Sequence, residues 1–204
     1  MFIPGPQNAS GRAIHRGRME TSAVEVRSTG KLGNMHEHYR DSKLKELRDQ
    51  LVRFAPKAQK VEQAARAEQL LGEIEPDRSY AYDYLCYRIT NYRPQEASRH
   101  TLAAADAISD LRQLVEDLSE SAALSVTEVD EPVHSVEDLS RMFNVSTKTI
   151  NRWRDAGLIG RKFLFGNRRR VGFLHSTVER FTAGNRERIR RGERFSQVSE
   201  EEKG

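Results

Sequence analysis

Ser135 to Leu174 reads SVEDLSRMFNVSTKTINRWRDAGLIGRKFLFGNRRRVGFL, and the order of its apolar residues decides the fold. Ser135 with Asp138 three residues on makes a capping box, in which serine and carboxylate each satisfy a free amide at a helix start. Leu139 and Phe143 follow at helical spacing and supply a buried face, and Ser140 is small enough for a neighbouring helix to approach. Asn144 is one of the few non-glycine residues that tolerates a left-handed turn. Val145 comes next, Ser146 or Thr147 caps a second helix, and Ile150 and Trp153 face inward from it. Gly157 ends that helix. Arg161–Phe165 and Arg169–Leu174 then flank Gly166 and Asn167, a two-residue hairpin signal. Phe163, Phe165, Val171 and Phe173 are expected to pack one face of the hairpin against the helices.

Counted from Val136, the apolar sites Leu139, Phe143, Val145, Ile150 and Trp153, with the small Ser140, have the spacing of a helix-turn-helix motif. Asn144 stands where the turn glycine is usual. The second helix leaves Ser146, Thr147, Lys148, Asn151, Arg152 and Asp155 facing outward. A recognition helix needs that mixture: hydroxyls and cations for phosphates, and Asn or Arg to reach base edges. Arg154 adds a further cation, and Arg161, Lys162, Arg168, Arg169 and Arg170 put five more around the hairpin turn. Phosphate binding explains cations without acidic partners, which stability does not. The expected DNA-binding set is therefore Ser146, Thr147, Lys148, Asn151, Arg152, Arg154, Arg161, Lys162, Arg168, Arg169 and Arg170. A cationic hairpin directly after a helix-turn-helix resembles the wing of winged-helix domains in the MerR and excisionase groups. His175-Ser176-Thr177 starts a further helix, with Val178 and Phe181 inward, which runs into the basic stretch RERIRRGER at 186–194.

Charge is distributed unevenly around this segment. Glu116 to Asp138 holds eight acidic residues and no Lys or Arg, whereas Leu139 to Arg194 holds fifteen Lys or Arg against four Asp or Glu, a local net of +11. A basic block beside an acidic one suits a face that meets a polyanion, and the acid could mask the base when DNA is absent, with Glu128, Asp130 and Glu131 as the masking groups.

Upstream, residues 1–36 are rich in Gly, Ser, Pro and Arg without an apolar period and read as a disordered basic arm. From about residue 37 the pattern turns helical. Leu44, Leu47, Leu51 and Phe54 form one apolar stripe, and Val61, Ala64, Ala65, Leu70, Leu71 and Ile74 a second. In YAYDYLCYRITNYRP, residues 80–94, Tyr80, Tyr84 and Tyr87 share a helical face. A bundle core with tyrosine tips in solvent outweighs a base-stacking platform there. Leu102, Ile108, Leu111, Val115 and Leu118 make the last stripe of this half. The expected organisation is an arm at 1–36, a helical domain at 37–119, an acidic linker at 120–134, a winged helix-turn-helix at 135–192 and a polar tail at 193–204.

Several segments together resemble a known family. YRDSKLKELRDQLVRFAPK, DYLCYRITNYRP, LRQLVEDLS, FNVSTKTINRWRDAGL and RRRVGFLHSTVERF are similar to the N-terminal extension of primary-type RNA polymerase sigma factors of planctomycete-like bacteria. The resemblance covers roughly residues 39–200. In that family a winged-helix module precedes the regions that bind core polymerase and melt the promoter. Those core-binding and promoter-recognising regions are not in this sequence, so the resemblance implies DNA binding in a transcription-initiation setting, by a truncated or split relative or by a free-standing regulator.

Other classes are disfavoured. No apolar run approaches the roughly 18 residues of a membrane span, and the single cysteine, Cys86, leaves no disulfide framework. Both point to the cytoplasm, where the expected DNA binding would associate the protein with the nucleoid. His36 and His38 are the only close histidines and lack a third ligand, and no phosphate loop or nucleophile elbow is present, so neither a cofactor nor an enzyme is expected. The sequence therefore implies a mainly α protein, a small helical bundle followed by a winged helix-turn-helix with a short β-hairpin wing, that binds double-stranded DNA. RNA polymerase core or another sigma factor would be further partners. The competing readings are an adaptor docking on polymerase or a sigma factor without reading DNA, and a phage-type excisionase or terminase-like DNA-binding protein.

Overall fold

Helix α1, Ser42–Phe54, starts where the Asp41 carboxylate accepts the amides of Lys43 and Leu44, both at 3.0 Å. The computed structural model describes residues 39–93 and 98–190, all within one compact unit. The expected basic arm at 1–36, with His36 and nearby His38, and the polar tail at 193–204 lie outside these residues. Among the described residues the protein is mainly helical, with small antiparallel sheets, and no helix is long and apolar enough to cross a membrane.

Helix α1 buries Leu44 and Leu47, and α2, Lys57–Leu71, buries Ala64, Ala67 and Leu70. The alanine face of α2 lets it lie close along the longest helix, α4, Ala104–Ala122, which contributes Ala107, Leu111, Leu114 and Leu118 to the same core. Helix α3, Tyr82–Thr90, adds Leu85 and Ile89. Phe54 departs from the expected stripe. It is 72% exposed, because it is the last residue of α1 and Pro56 turns the chain away at once. Two three-residue strands, β1 (Ser79–Ala81) and β2 (Thr101–Ala103), pair antiparallel ahead of α3 and α4, where the sequence suggested helix alone.

The second half runs β3 (Val133–Ser135), α5 (Val136–Met142), α6 (Thr147–Asp155), β4 (Arg161–Phe165), β5 (Arg168–Leu174) and α7 (His175–Gly184). Its three strands are antiparallel in the order β3-β5-β4. The Ser135–Asp138 capping box opens α5. Asn144 takes φ +47°, and Ser140 supports the turn by donating its hydroxyl to the Val145 carbonyl, a closer task than merely leaving room for a helix. Trp153 is 3% exposed, with the rings of Phe143 and Phe181 at 5.3 and 5.8 Å.

The hairpin corrects one expectation. Phe165 pairs with Arg168 and Phe163 with Arg170, so Phe163 and Phe165 share one face while Val171 and Phe173 lie on the other. Val171 and Phe173 join the core of α5, α6 and α7, whereas Phe163 and Phe165 pack with Leu124, Val126 and Val61. Both faces of the sheet are therefore covered. Gly172 sits in the central strand beneath the two phenylalanine rings, where a Cβ would come within 3.0 Å of Phe163, 3.1 Å of Phe165 and 2.7 Å of Val133.

Residues 120–134, expected as an acidic linker, are built into the fold. Helix α4 continues to Ala122, a single helical turn follows at Val126–Glu128, and β3 joins the sheet. The outer amides of edge strand β4 are closed by the end of α4 and the residues just after it: Lys162 N donates to Ser119 Oγ at 2.9 Å and Leu164 N to the Leu124 carbonyl at 2.9 Å. Two acids of the 120–134 stretch, though exposed or half-exposed, have partners in the fold. Glu128 meets Lys57 at 2.7 Å, and Glu131 accepts the Ser176 amide at the start of α7.

The deepest tie between the halves is Glu68 on α2, 4% exposed. One carboxylate oxygen accepts Arg161 Nε at 2.8 Å and lies 2.7 Å from Nη2, and the other accepts the Thr177 hydroxyl. Removing one partner of a buried ion pair costs about 3–5 kcal/mol, because the other charge is left without compensation. Glu68→Ala should lose that much in urea unfolding, and a Glu68→Met, Arg161→Met double variant should recover most of it. On the sheet's other edge strand, β3, His134 Nε2 lies 3.0 Å from His175 Nδ1. Burial, and then His175, lower the pKa of His134, against a smaller upward pull from Asp138. A histidine whose folded pKa lies below its unfolded value costs stability as pH falls through the unfolded pKa, about 6.5. Between about pH 7.5 and 5.5 the protein should lose more stability than its His134→Gln variant, measured by denaturant midpoint.

Candidate nucleic-acid interface

The outward side of α6 follows from its inward one. Ile150 and Trp153 are buried, which turns Lys148, Asn151 and Arg152 to solvent, with Thr147 also exposed at the first turn. Ser146 accepts the Thr149 amide at 3.2 Å as the helix cap, so its hydroxyl already has a task within the fold. None of Lys148, Arg152, Arg168 and Arg170 has an ion pair among the described residues, and the last two extend from the exposed end of the hairpin. Gly166 carries φ +61° there, the positive value a tight turn requires and glycine meets without strain.

The remaining cations of the expected set are held within the protein. Arg154 pairs with Glu116 of α4. Arg161 is buried on Glu68, and Lys162 Nζ meets Glu120 at 2.8 Å. Arg169 lies 3.9 Å from Glu120 yet is 56% exposed, so it stands between the two groups. Arg154, Arg161 and Lys162, expected on phosphates, thus face the first half of the chain. For Arg154 and Lys162 the physical reason is that Glu116 and Glu120, four residues apart, share one side of α4, which meets β4 and, through Arg112 and Glu116, the end of α6. Arg161 is held instead by Glu68 of α2.

Sequence reasoning missed Glu68, Glu116 and Glu120 as partners. The available signal was their register: Glu120 lies one turn after Glu116 and continues the helical period of α4 instead of opening a spacer, and Glu68 lies among the buried alanines of α2. Glu128, Asp130 and Glu131, expected to mask the basic block, do not meet these cations, and Glu128 and Glu131 are engaged at Lys57 and Ser176. Among the described residues no group of three or more His, Cys, Asp or Glu side chains is placed to hold a metal ion.

What the surface can do chemically is bounded by these pairings. An exposed helix face with a threonine, a lysine, an asparagine and an arginine can donate to phosphate oxygens and to the acceptor and donor edges of bases. The exposed guanidiniums at the hairpin end can each donate a forked pair of hydrogen bonds to a phosphate. Compared with known protein families, curated proteins and solved structures, the chain matches none.

The partition of arginines is measurable directly. Brief treatment of the native protein with an arginine-selective dicarbonyl reagent, read by peptide mass spectrometry, should modify Arg152, Arg168 and Arg170 first. Arg161 should react only after unfolding, and Arg154 should lag the exposed group. Equal reactivity of Arg161 and Arg168 would contradict the buried pairing.

Proposed function

We propose that residues 133–184 act as a winged helix-turn-helix that binds double-stranded DNA in a sequence-selective way, in transcription initiation or its regulation. In this reading α6 enters the major groove, Asn151 and Arg152 reach base edges, and Thr147, Lys148, Arg168, Arg169 and Arg170 hold phosphates. The observation that carries it is the division of cations. Those turned toward the protein are matched by Glu68, Glu116 and Glu120, whereas Lys148, Arg152, Arg168 and Arg170 are exposed and unmatched. With the inward cations Arg154, Arg161 and Lys162 each paired to a carboxylate and this outer set left exposed, a polyanion is the natural complement of that set.

The resemblance to sigma-factor extensions supports the transcription setting and makes polymerase a further partner. An adaptor role is the second reading, favoured by large apolar side chains left open at Phe54, 72% exposed, Tyr92, 59%, and Met142, 52%. Salt separates the two, since counterion release makes duplex binding fall steeply with salt.

Asn151→Ala and Arg168→Ala should differ in kind. Loss of a base contact costs about 1–3 kcal/mol at one position and flattens preference there, whereas loss of a phosphate contact weakens all duplexes alike and lowers the salt slope by about one unit. In-vitro site selection and a salt titration of the full chain and both variants measure this. Absence of salt-dependent binding to any duplex overturns the DNA reading in favour of the adaptor.

A further inference from the structure

The basic stretch after α7 has no part in the set so far assigned, and its placement gives it one. Residues 186–190 are helical, and Ile189 is buried in the same core as Trp153 and Phe181. Asn185 begins the segment: its side chain donates to the Phe181 carbonyl at 3.0 Å, and its own carbonyl accepts the Ile189 amide at 3.1 Å. Asn185 also lines a cleft with Ala156 and Gly157, the residues that end α6. The segment thus starts beside the C-terminal end of α6 and is pinned by an apolar anchor one helical turn later. Around that anchor Arg186, Arg188 and Arg190 are all exposed, and none has an ion pair among the described residues.

We infer that Arg186, Arg188 and Arg190 form a second phosphate-binding element, which grips the DNA backbone next to the groove that α6 enters. The inference rests on the duplex-binding reading above. Three guanidiniums on a short helix that the core holds in place are poorly explained by solubility, since stability requires the anchor but not the charges. Placed beside the end of a recognition helix, they meet a line of phosphates whose spacing does not depend on sequence. The element should therefore add affinity without adding selectivity, and it extends the footprint beyond what α6 and the hairpin cover.

The test compares the full chain with an Arg186→Ala, Arg188→Ala, Arg190→Ala variant, with its all-lysine counterpart and with Arg188→Ala alone. Each is titrated with salt on a selected duplex and on a random one of equal length. The triple alanine variant should lower the slope of log affinity against log salt by about three units and the single variant by about one, with selected and random duplexes weakened by the same factor. The lysine variant keeps the charges and should retain nearly the full slope. Circular dichroism identifies any variant whose fold has changed. An unaltered slope in the folded alanine variant overturns the inference while leaving Asn151→Ala free to flatten the site profile, so α6 keeps its role. Weakening confined to the selected duplex also overturns it, by making these arginines base readers. A wild-type chain that binds no duplex removes both readings at once.

Discussion

The Glu68 carboxylate is the constraint on which the arrangement of the two halves depends. A carboxylate taken out of water survives only if its lone pairs are filled. Arg161 fills one oxygen from β4 and Thr177 the other from the start of α7, so a single residue of α2 fixes both an edge strand and a helix of the second half. The attraction adds little net stability against an apolar alternative of equal size, but it penalises every arrangement that leaves Glu68 or Arg161 alone. That penalty selects one docking geometry out of many that would bury similar area. Around it the weaker ties fall into register: Ser119 and Leu124 close the β4 edge, and Glu116 and Glu120 meet Arg154 and Lys162.

This docking has a consequence for the proposed interface. Because the hairpin is covered on both faces, it is held stiffly relative to α6, with Val171 and Phe173 on the core of α6 and Phe163 on Leu124. The exposed cations of the hairpin end and those of α6 are then carried on one body. A rigid set of donors binds a regular phosphate array with less entropic cost than a flexible one. The helical half, on this view, orients the proposed reading head and cancels the cations that would otherwise repel one another at the joint.

Much of the second half was legible in the chain because its signals are local. The Ser135–Asp138 box, the left-handed Asn144, the inward Ile150 and Trp153 and the turn at Gly166 each depend on neighbours within a few residues, and each stands where it was read. The hairpin faces were legible too, though misread. A two-residue turn pairs Phe165 with Arg168, and parity then separates Phe163 from Phe173. Phe54 was misread for a different reason, since periodicity identifies a stripe but not where the neighbouring layer ends.

The sequence by itself determined the locally signalled features of the second half: where α5 and α6 start, which residues turn, and which side of α6 is apolar. It also determined the charge asymmetry, through the counts of acids and bases on either side of Asp138. Only the tertiary structure decided which charges meet. Glu68 and Arg161 are 93 residues apart, and Glu116 and Arg154 are 38 apart, distances over which no local pattern carries information. An acidic stretch next to a basic one reads as a solvated linker until packing brings their sides together. Ion pairing depends on separation in space, and the chain's order constrains that separation only through the fold.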